Sequence, residues 1–215
     1  MKIQHPPIKN YKHRNAPTGS ISQWFGENHD LYFSRLNMQG HNGLDLVAPW
    51  GTPIYAVEDG IVAEVKNSPD GYGKHLRIIS ERSGSEWTYG HASENLVEVG
   101  QEVKAGDMIQ KMGNTGFVVS SHDGGGFWKA GSNQYLGTHL HLGRREVEIV
   151  KRGGWQYNPN TPRIKVLNYN NGYFGSVNFA HMMTDLEFTL DESLDDRATL
   201  IKFLNWLKDL GAFNK

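Results

Sequence analysis

The sequence predicts a mainly β, antiparallel domain followed by one C-terminal amphipathic helix, and three observations carry that expectation. From Ile21 onward, short runs rich in Val, Ile and Tyr alternate with Gly, Pro, Asn and Asp, and no helix-period segment separates them. Glycine supplies 25 of the 215 residues, above the usual ~7%, as frequent turns between short strands require. Near the C-terminus the period changes, and apolar residues recur at 200, 203, 204, 207 and 210, the 3.6-residue stripe of a helix.

In chain order, residues 1–18 read as an arm. Pro6, Pro7 and Pro17 with scattered Lys and His give no periodicity, so an extended or loosely docked segment is expected. Residues 19–150 form the β-domain. Its strands are expected in ISQWFG, DLVAPWGTPIYAV, GIVAEVK, HLRIIS, WTYGHA, DMIQKMG and THLHLG, with tight turns at Asp59-Gly60 and Asp70-Gly71. Within it, residues 117–137 break the rhythm with three consecutive glycines among aromatics, which reads as a long insertion loop of the kind that is often functional. Residues 151–190 read as an irregular extension. Residues 191–215 carry the helix: Ser193 and Asp196 resemble a capping box, acidic residues crowd its start and Gly211 suits its stop. Its stripe has to be buried on the β-domain or on another chain.

Composition excludes several functions. At 38% hydrophobic and 21% charged, with no long apolar run, the chain is neither a transmembrane nor a highly charged disordered protein. A net charge of -1 argues against nucleic acid or an acidic membrane as the main partner, because phosphate binding depends on clustered Lys and Arg. With no cysteine there is no disulfide framework, thiolate zinc site, Fe–S cluster or Cys nucleophile. A metal has to sit on histidines, of which there are ten, and on carboxylates.

Three local patterns concentrate the candidate chemistry. In Gly40-His41-Asn42-Gly43-Leu44-Asp45, a His and a carboxylate four residues apart can share one side of an extended segment, and glycine lets the backbone approach an ion. In Gly137-Thr138-His139-Leu140-His141-Leu142, residues i and i+2 of a strand put both imidazoles on one face and both leucines on the other. Such a pair is costly to bury unless it ligates a metal, takes part in catalysis or forms paired hydrogen bonds. The third pattern is His91, ending the strand WTYGH; taken alone it reads equally as a hydrogen-bonded structural residue. Jointly, His41, Asp45 and one of His139 or His141 supply the three ligands of a catalytic zinc site, with the other histidines beside the open position. There is no HExxH, so a histidine is expected to serve as base.

These residues carry a family resemblance. GHNGLD, APWGTPIYAVEDGIV, YGHAS, VEVGQEVKAGDMIQKMGNTG and GTHLHLG resemble, in order and spacing, the M23 (LytM/lysostaphin-type) zinc metallopeptidases, over about Ile21 to Val147. The resemblance implies a β-sandwich or half-barrel-like domain holding one zinc. It implies ligand roles for His41, Asp45 and His141, and catalytic roles for His91 and His139 flanking the metal. The implied activity is hydrolysis of peptide bonds in the cross-links or stem peptides of bacterial peptidoglycan by a zinc-activated water.

Departures and rivals bear on this reading. Family members pass from GNTG to HLH within a few residues, whereas Phe117 to Leu136 intervene here and are expected either to shape substrate choice beside the cleft or to be a surface elaboration. His122 and Asp123 within it are a further metal-proximal pair or part of a loop. His5, His13, His29, His75 and His181 match no motif and are expected to be structural or exposed. One rival is a non-catalytic cell-wall-binding or regulatory domain of the same fold, which predicts a missing ligand. Another is a biotinyl- or lipoyl-like carrier, which needs a lysine at a hairpin tip, whereas Lys111 lies inside an expected strand. A monomer is expected, with no membrane insertion. The N-terminus has no signal-type apolar stretch, so reaching an extracytoplasmic wall implies phage lysis, a virion or another route.

Overall fold

The structure, a computed structural model, describes residues 2–120, 126–128, 136–151 and 161–184. The β-branched and aromatic runs fold as strands. In chain order, β1 (Ile21–Gln23) is followed by helix α1 (His29–Leu36), β2 (Leu44–Leu46), β3 (Pro53–Tyr55), β4 (Gly60–Asn67), β5 (Lys74–Ser80) and β6 (Ser85–Ala92). Then come β7 (Glu94–Asn95), β8 (Glu102–Val103), β9 (Met108–Lys111), β10 (Val118–Ser120), β11 (Gly126–Trp128), β12 (Leu140–Lys151) and β13 (Arg163–Val166).

The large sheet runs β1-β2-β12-β6-β5-β4-β8, with β13 also on β12, and its ladders are antiparallel. A small sheet, β3-β9-β7, and the hairpin β10-β11 complete the set. The long strand β12 organises the molecule: its start pairs with β2, its end with β13, and its other edge with β6. Leu44, Leu46, Leu76, Ile78, Trp87, Tyr89, Leu140 and Leu142 of the large sheet form one buried cluster with Ile54 and Ile109 of the small sheet. Each such side chain contributes about 1.5–3 kcal/mol on burial. That shared cluster holds the two sheets in fixed relation.

Five features differ from the sequence expectation. Within the loop expected at 117–137, Val118–Ser120 pairs antiparallel with Gly126–Trp128 as the hairpin β10–β11. The N-terminal arm is packed, not loose: Ile3, Ile8 and Tyr11 enter the core cluster, and Gln4 N–H and Tyr55 N–H make backbone bonds to Val57 and Pro7 carbonyls, both at 2.9 Å. Isolated apolar residues bury without leaving any periodicity to read. Asp59-Gly60 is not a hairpin tip; Gly60 opens β4, and the Asp59 carboxylate accepts the Ala105 N–H at 2.9 Å. Asp70-Gly71 does sit in the β4–β5 connection, with Gly71 at φ 55°. The extension after residue 150 contains β13 and a short 3-10 turn at Ala180–Met182, beside which Phe179 packs edge-on against Trp87 at 5.1 Å. Finally, α1 lies between two expected strands. None of its eight residues is buried, so it shows no apolar stripe, and Asn28 and Asn37 bound it in left-handed conformations that Asn tolerates. The helix expected at 191–215 lies outside the described residues. No helix among the described residues is long and apolar enough to cross a membrane.

Candidate metal centre and its cleft

Register on β12 assembles the first part of the site. Asp45 on β2 lies opposite His141 on β12, and His141 lies opposite Gly90 on β6, so the carboxylate and the imidazole share one face. Leu140 and Leu142 turn to the core, fully buried, as alternation requires. His41 arrives from the loop before β2, tied by its carbonyl to the Gly26 N–H at 2.8 Å and by its N–H to the Glu27 carbonyl at 2.9 Å. Gly43 makes room: a Cβ there would lie 2.6 Å from the His141 ring.

Three atoms converge. His41 Nε2 is 3.0 Å from Asp45 Oδ1 and 3.0 Å from His141 Nδ1, and the last two are 3.1 Å apart. Four-coordinate zinc with ligands at 2.0–2.2 Å has its donor atoms about 3.3 Å from one another, so this triangle fits the ion closely. The chemistry fits as well. His41 Nδ1–H donates to the Trp24 carbonyl at 3.1 Å, which leaves Nε2 with its lone pair facing the carboxylate and the second imidazole. The three residues are buried, and acceptor atoms gathered this closely call for a cation or a proton among them.

His139 and His91 stand beside the triangle. His139 Nδ1–H donates to the Gly137 carbonyl at 2.7 Å, and its Nε2 lies 3.6 Å from Asp45 Oδ2. His91 Nδ1–H donates to the Thr115 carbonyl at 2.8 Å, which leaves Nε2 free to accept a proton. The two rings are 4.6 Å apart, and the His91 ring is 6.1 Å from that of His141. His91 has φ 65°, unusual for a non-glycine residue, and it sits where the β5–β6 register shifts between Lys74 and Leu76. This is a bulge, which re-aims a side chain off the strand's alternation.

Burial and charge act in opposition across the cluster. Burial pushes His91 well below the usual histidine range, helped by the neighbouring imidazoles. His141 is likewise lowered by burial, against the pull of Asp45. For His41 burial is outweighed by the Asp45 carboxylate, and the net shift is upward. Burial also opposes the charged form of Asp45, yet the surrounding imidazoles hold it well below the usual carboxylate range. The site therefore presents an ionised carboxylate at Asp45 and favours neutral imidazoles at His91 and His141, while His41 is drawn towards the charged form by that carboxylate.

The cluster opens into a cleft of about 450 Å³. Asn28, Leu31 and Tyr32 of the α1 segment line it, as do Phe117 and Val118 at the root of the insertion. Arg35 of α1 lies 5.6 Å over the Phe117 ring, joining the helix side to the insertion side. Asn114 clamps the insertion at its far end by donating to the Leu136 carbonyl at 2.9 Å.

Several site residues left no mark in the sequence. The Tyr32 hydroxyl, on the cleft wall, donates to Gln23 Oε1 at 3.3 Å. The Tyr72 carbonyl accepts the His91 N–H at 2.8 Å, and its ring lies 4.9 Å from that of His141. Neither belongs to a motif with its own spacing, and only the fold brings them in. Of the remaining histidines, His75 is buried between the Gly73 carbonyl and Glu64, His13 bonds to Tyr11, His5 packs against Tyr55, and His29 and His181 are exposed. His122 and Asp123 lie outside the described residues. Lys111 is held within β9 by Glu94 at 2.7 Å, away from the hairpin tip a carrier lysine would occupy.

Comparison with known proteins bears on this geometry. The model of peptidase family M23 matches residues 39–159, more than half of the chain. The peptidoglycan DD-endopeptidase ShyA of Vibrio cholerae is 39% identical over 82 residues, 38% of this chain and 19% of that protein. The glycyl-glycine endopeptidase ALE-1 of Staphylococcus capitis is 32% identical over 87 residues, 40% of this chain and 24% of that one. A crystal structure of a zinc-containing peptidase from Vibrio cholerae shares 25% identity at a TM-score of 0.47, covering 76% of this chain and 39% of that chain. The chain thus spans less than a quarter of the length of these two curated relatives.

Proposed function

The chain belongs to peptidase family M23, and from that premise we propose that it is a zinc-dependent endopeptidase hydrolysing peptide bonds in the cross-links or stem peptides of bacterial peptidoglycan. The observation that carries this reading is the convergence of His41, Asp45 and His141 on one point at the floor of a cleft that also holds His91 and His139. The names of two relatives, a DD-endopeptidase and a glycyl-glycine endopeptidase, support peptidoglycan as the substrate class.

His41 Nε2, Asp45 Oδ1 and His141 Nδ1 would hold the ion. Zinc bound there supplies a Lewis acid for the scissile carbonyl and lowers the pKa of a water. The protein's own part is to orient and to move protons. The Trp24 carbonyl fixes His41 in the tautomer that ligates, and the Thr115 and Gly137 carbonyls fix His91 and His139 with Nε2 as acceptor. His91 and His139 carry the proton lost by the attacking water to the leaving amine nitrogen, so that one carboxylate and one amine result. Leu31, Val47 and Phe117 give the cleft apolar walls that strengthen each electrostatic contact within it.

The test is zinc content together with release of new amino termini from purified cell walls. Wild type is expected to hold about one zinc per chain and to cleave; His139→Ala keeps the metal and loses cleavage, and His141→Ala loses the metal. Equal cleavage by wild type and His139→Ala would remove the histidine from catalysis. A wild type that binds no zinc would remove the metal.

A further inference from the structure

No role fell to Thr115 in the sequence, yet it binds His91 and the residues beside it at four points. The Thr115 carbonyl accepts His91 Nδ1–H at 2.8 Å, and the Thr115 N–H points to the His91 carbonyl at 3.4 Å. The Thr115 hydroxyl donates to the Ala92 carbonyl at 2.7 Å and accepts the Lys74 N–H at 2.9 Å. Main chain and side chain of one residue thus hold both the ring of His91 and the strand edge next to it. Thr115 is not among the residues that line the cleft, so whatever it does there it does through His91.

The hydroxyl sits at the bulge itself. Lys74 on β5 is the register partner of Ala92 on β6, and Leu76 is that of Tyr89, so His75 alone stands opposite both Gly90 and His91. A ladder joins facing strands by direct bonds from N–H to carbonyl. Here the Lys74 N–H reaches the Ala92 carbonyl through the Thr115 hydroxyl, which accepts from one strand and donates to the other. Glycine makes room for the insertion: Gly73 has φ 63°, and a Cβ there would fall 2.3 Å from the Thr115 carbonyl oxygen and 2.5 Å from its Oγ1. The turn before Gly73 completes the frame, since the Tyr72 carbonyl accepts the His91 N–H and the Gly71 carbonyl accepts the Phe117 N–H, both at 2.8 Å.

We propose that the Thr115 hydroxyl is the positioning group of His91: by bridging β5 and β6 at the bulge it keeps the imidazole on the cleft side with Nε2 as the proton acceptor. This rests on the reading of His91 as a proton carrier given above. Without the hydroxyl, the Lys74 N–H and the Ala92 carbonyl lose their common partner and the two strands draw together to pair directly. The bulge then relaxes, and His91 Nδ1–H leaves the Thr115 carbonyl. The bond made by one ring nitrogen sets the tautomer of the other, so the ring loses its preference for Nε2 as acceptor.

The experiment compares Thr115→Val, which keeps the branched shape without the hydroxyl, with Thr115→Ser, which restores it, both in the full chain. Zinc content, wall hydrolysis resolved into kcat and KM, and the His91 tautomer read from its ring-nitrogen NMR shifts are measured on each. Wild type should show the Nδ1–H form. In Thr115→Val, kcat is expected to fall about 10–100-fold with KM and zinc unchanged, as a small misplacement of a catalytic group gives. The Nε2–H form of His91 should appear with it. Thr115→Ser should recover both kcat and tautomer. If Thr115→Val does not fold, Thr115→Ala, which leaves space for a water between the strands, takes its place with the same expectations. Unchanged kcat and tautomer without the hydroxyl would overturn the proposal, as would a Thr115→Ser protein as slow as Thr115→Val. Loss of zinc, or a lower urea midpoint with the tautomer unmoved, would make Thr115 a structural tie and overturn it too. A wild type that cleaves no wall, with the tautomer still changing in Thr115→Val, would defeat the peptidase reading and leave the positioning of His91 standing.

Discussion

His91 and His139 stand with ring centroids 4.6 Å apart because a backbone irregularity, not strand alternation, brings them together. On β6, Trp87 and Tyr89 face the core, and His91 shares their parity; Gly90, opposite His141, faces the cleft. An unbroken strand would bury His91 beside Leu140. The bulge, with φ 65°, turns the imidazole to the other side, where the Thr115 carbonyl fixes its tautomer.

His91→Ala is therefore expected to keep the fold and the metal while activity falls about 10²–10⁴-fold, the usual contribution of a positioned acid–base group. Zinc content and wall hydrolysis measured on one preparation check this. Loss of zinc in that variant would make His91 a ligand instead.

Gly43→Ala should weaken metal binding while leaving every candidate ligand in the sequence. The added Cβ would lie 2.6 Å from the His141 ring, and that ring is buried and cannot move freely. Displacing it is expected to cost about 10–100-fold in zinc affinity, as outer-shell changes do. Competition with a chromophoric chelator reads the affinity directly.

Glu58 holds together the β5–β6 connection and the entry to β4. Its buried carboxylate accepts hydrogen bonds from Arg82, Ser83 and the Trp87 indole N–H, the last at 2.9 Å. Glu58→Ala leaves the indole donor buried without a partner, so a loss of about 3 kcal/mol is expected. A shift of the urea midpoint with unchanged slope is the measurement.

Acid should act through Glu64. Its pKa lies at about 2 against an ordinary 4.5, chiefly through the hydrogen bond from His75, opposed by burial and aided by Lys66 and Arg77. A lowered carboxylate pKa gives stability that is fully present above 4.5 and is lost as the pH falls through about 2. Urea unfolding between pH 5 and pH 2 should show a steeper decline in wild type than in Glu64→Gln. Parallel declines would place the acid sensitivity elsewhere.

The sequence made legible what depends on residue type and short spacing. The alternation in HLHL predicted two imidazoles on one face and two leucines in the core, and Gly43 hinted at a close approach. Strands β1 to β6, β9 and the start of β12 could be read in the same way, as could the antiparallel class, whereas the two-residue strands β7 and β8 and the β10–β11 hairpin could not. What depends on long-range packing could not be read. Helix α1 buries none of its residues, so Tyr32 reached the cleft wall unannounced. The arm buries Ile3, Ile8 and Tyr11 singly, without period. The turn of His91 is a property of its backbone, which no side-chain pattern encodes.

The bulge on β6 acts on the strand as a frame shift acts on a message. Upstream of it odd positions are structural, and at His91 an odd position lines the cleft. Point substitutions elsewhere on β6 leave this phase intact. Inserting or deleting one residue between Trp87 and His91 reverses it, sending a core side chain into the cleft or the imidazole into the core. The segment is expected to accept changes of residue type far more readily than changes of length.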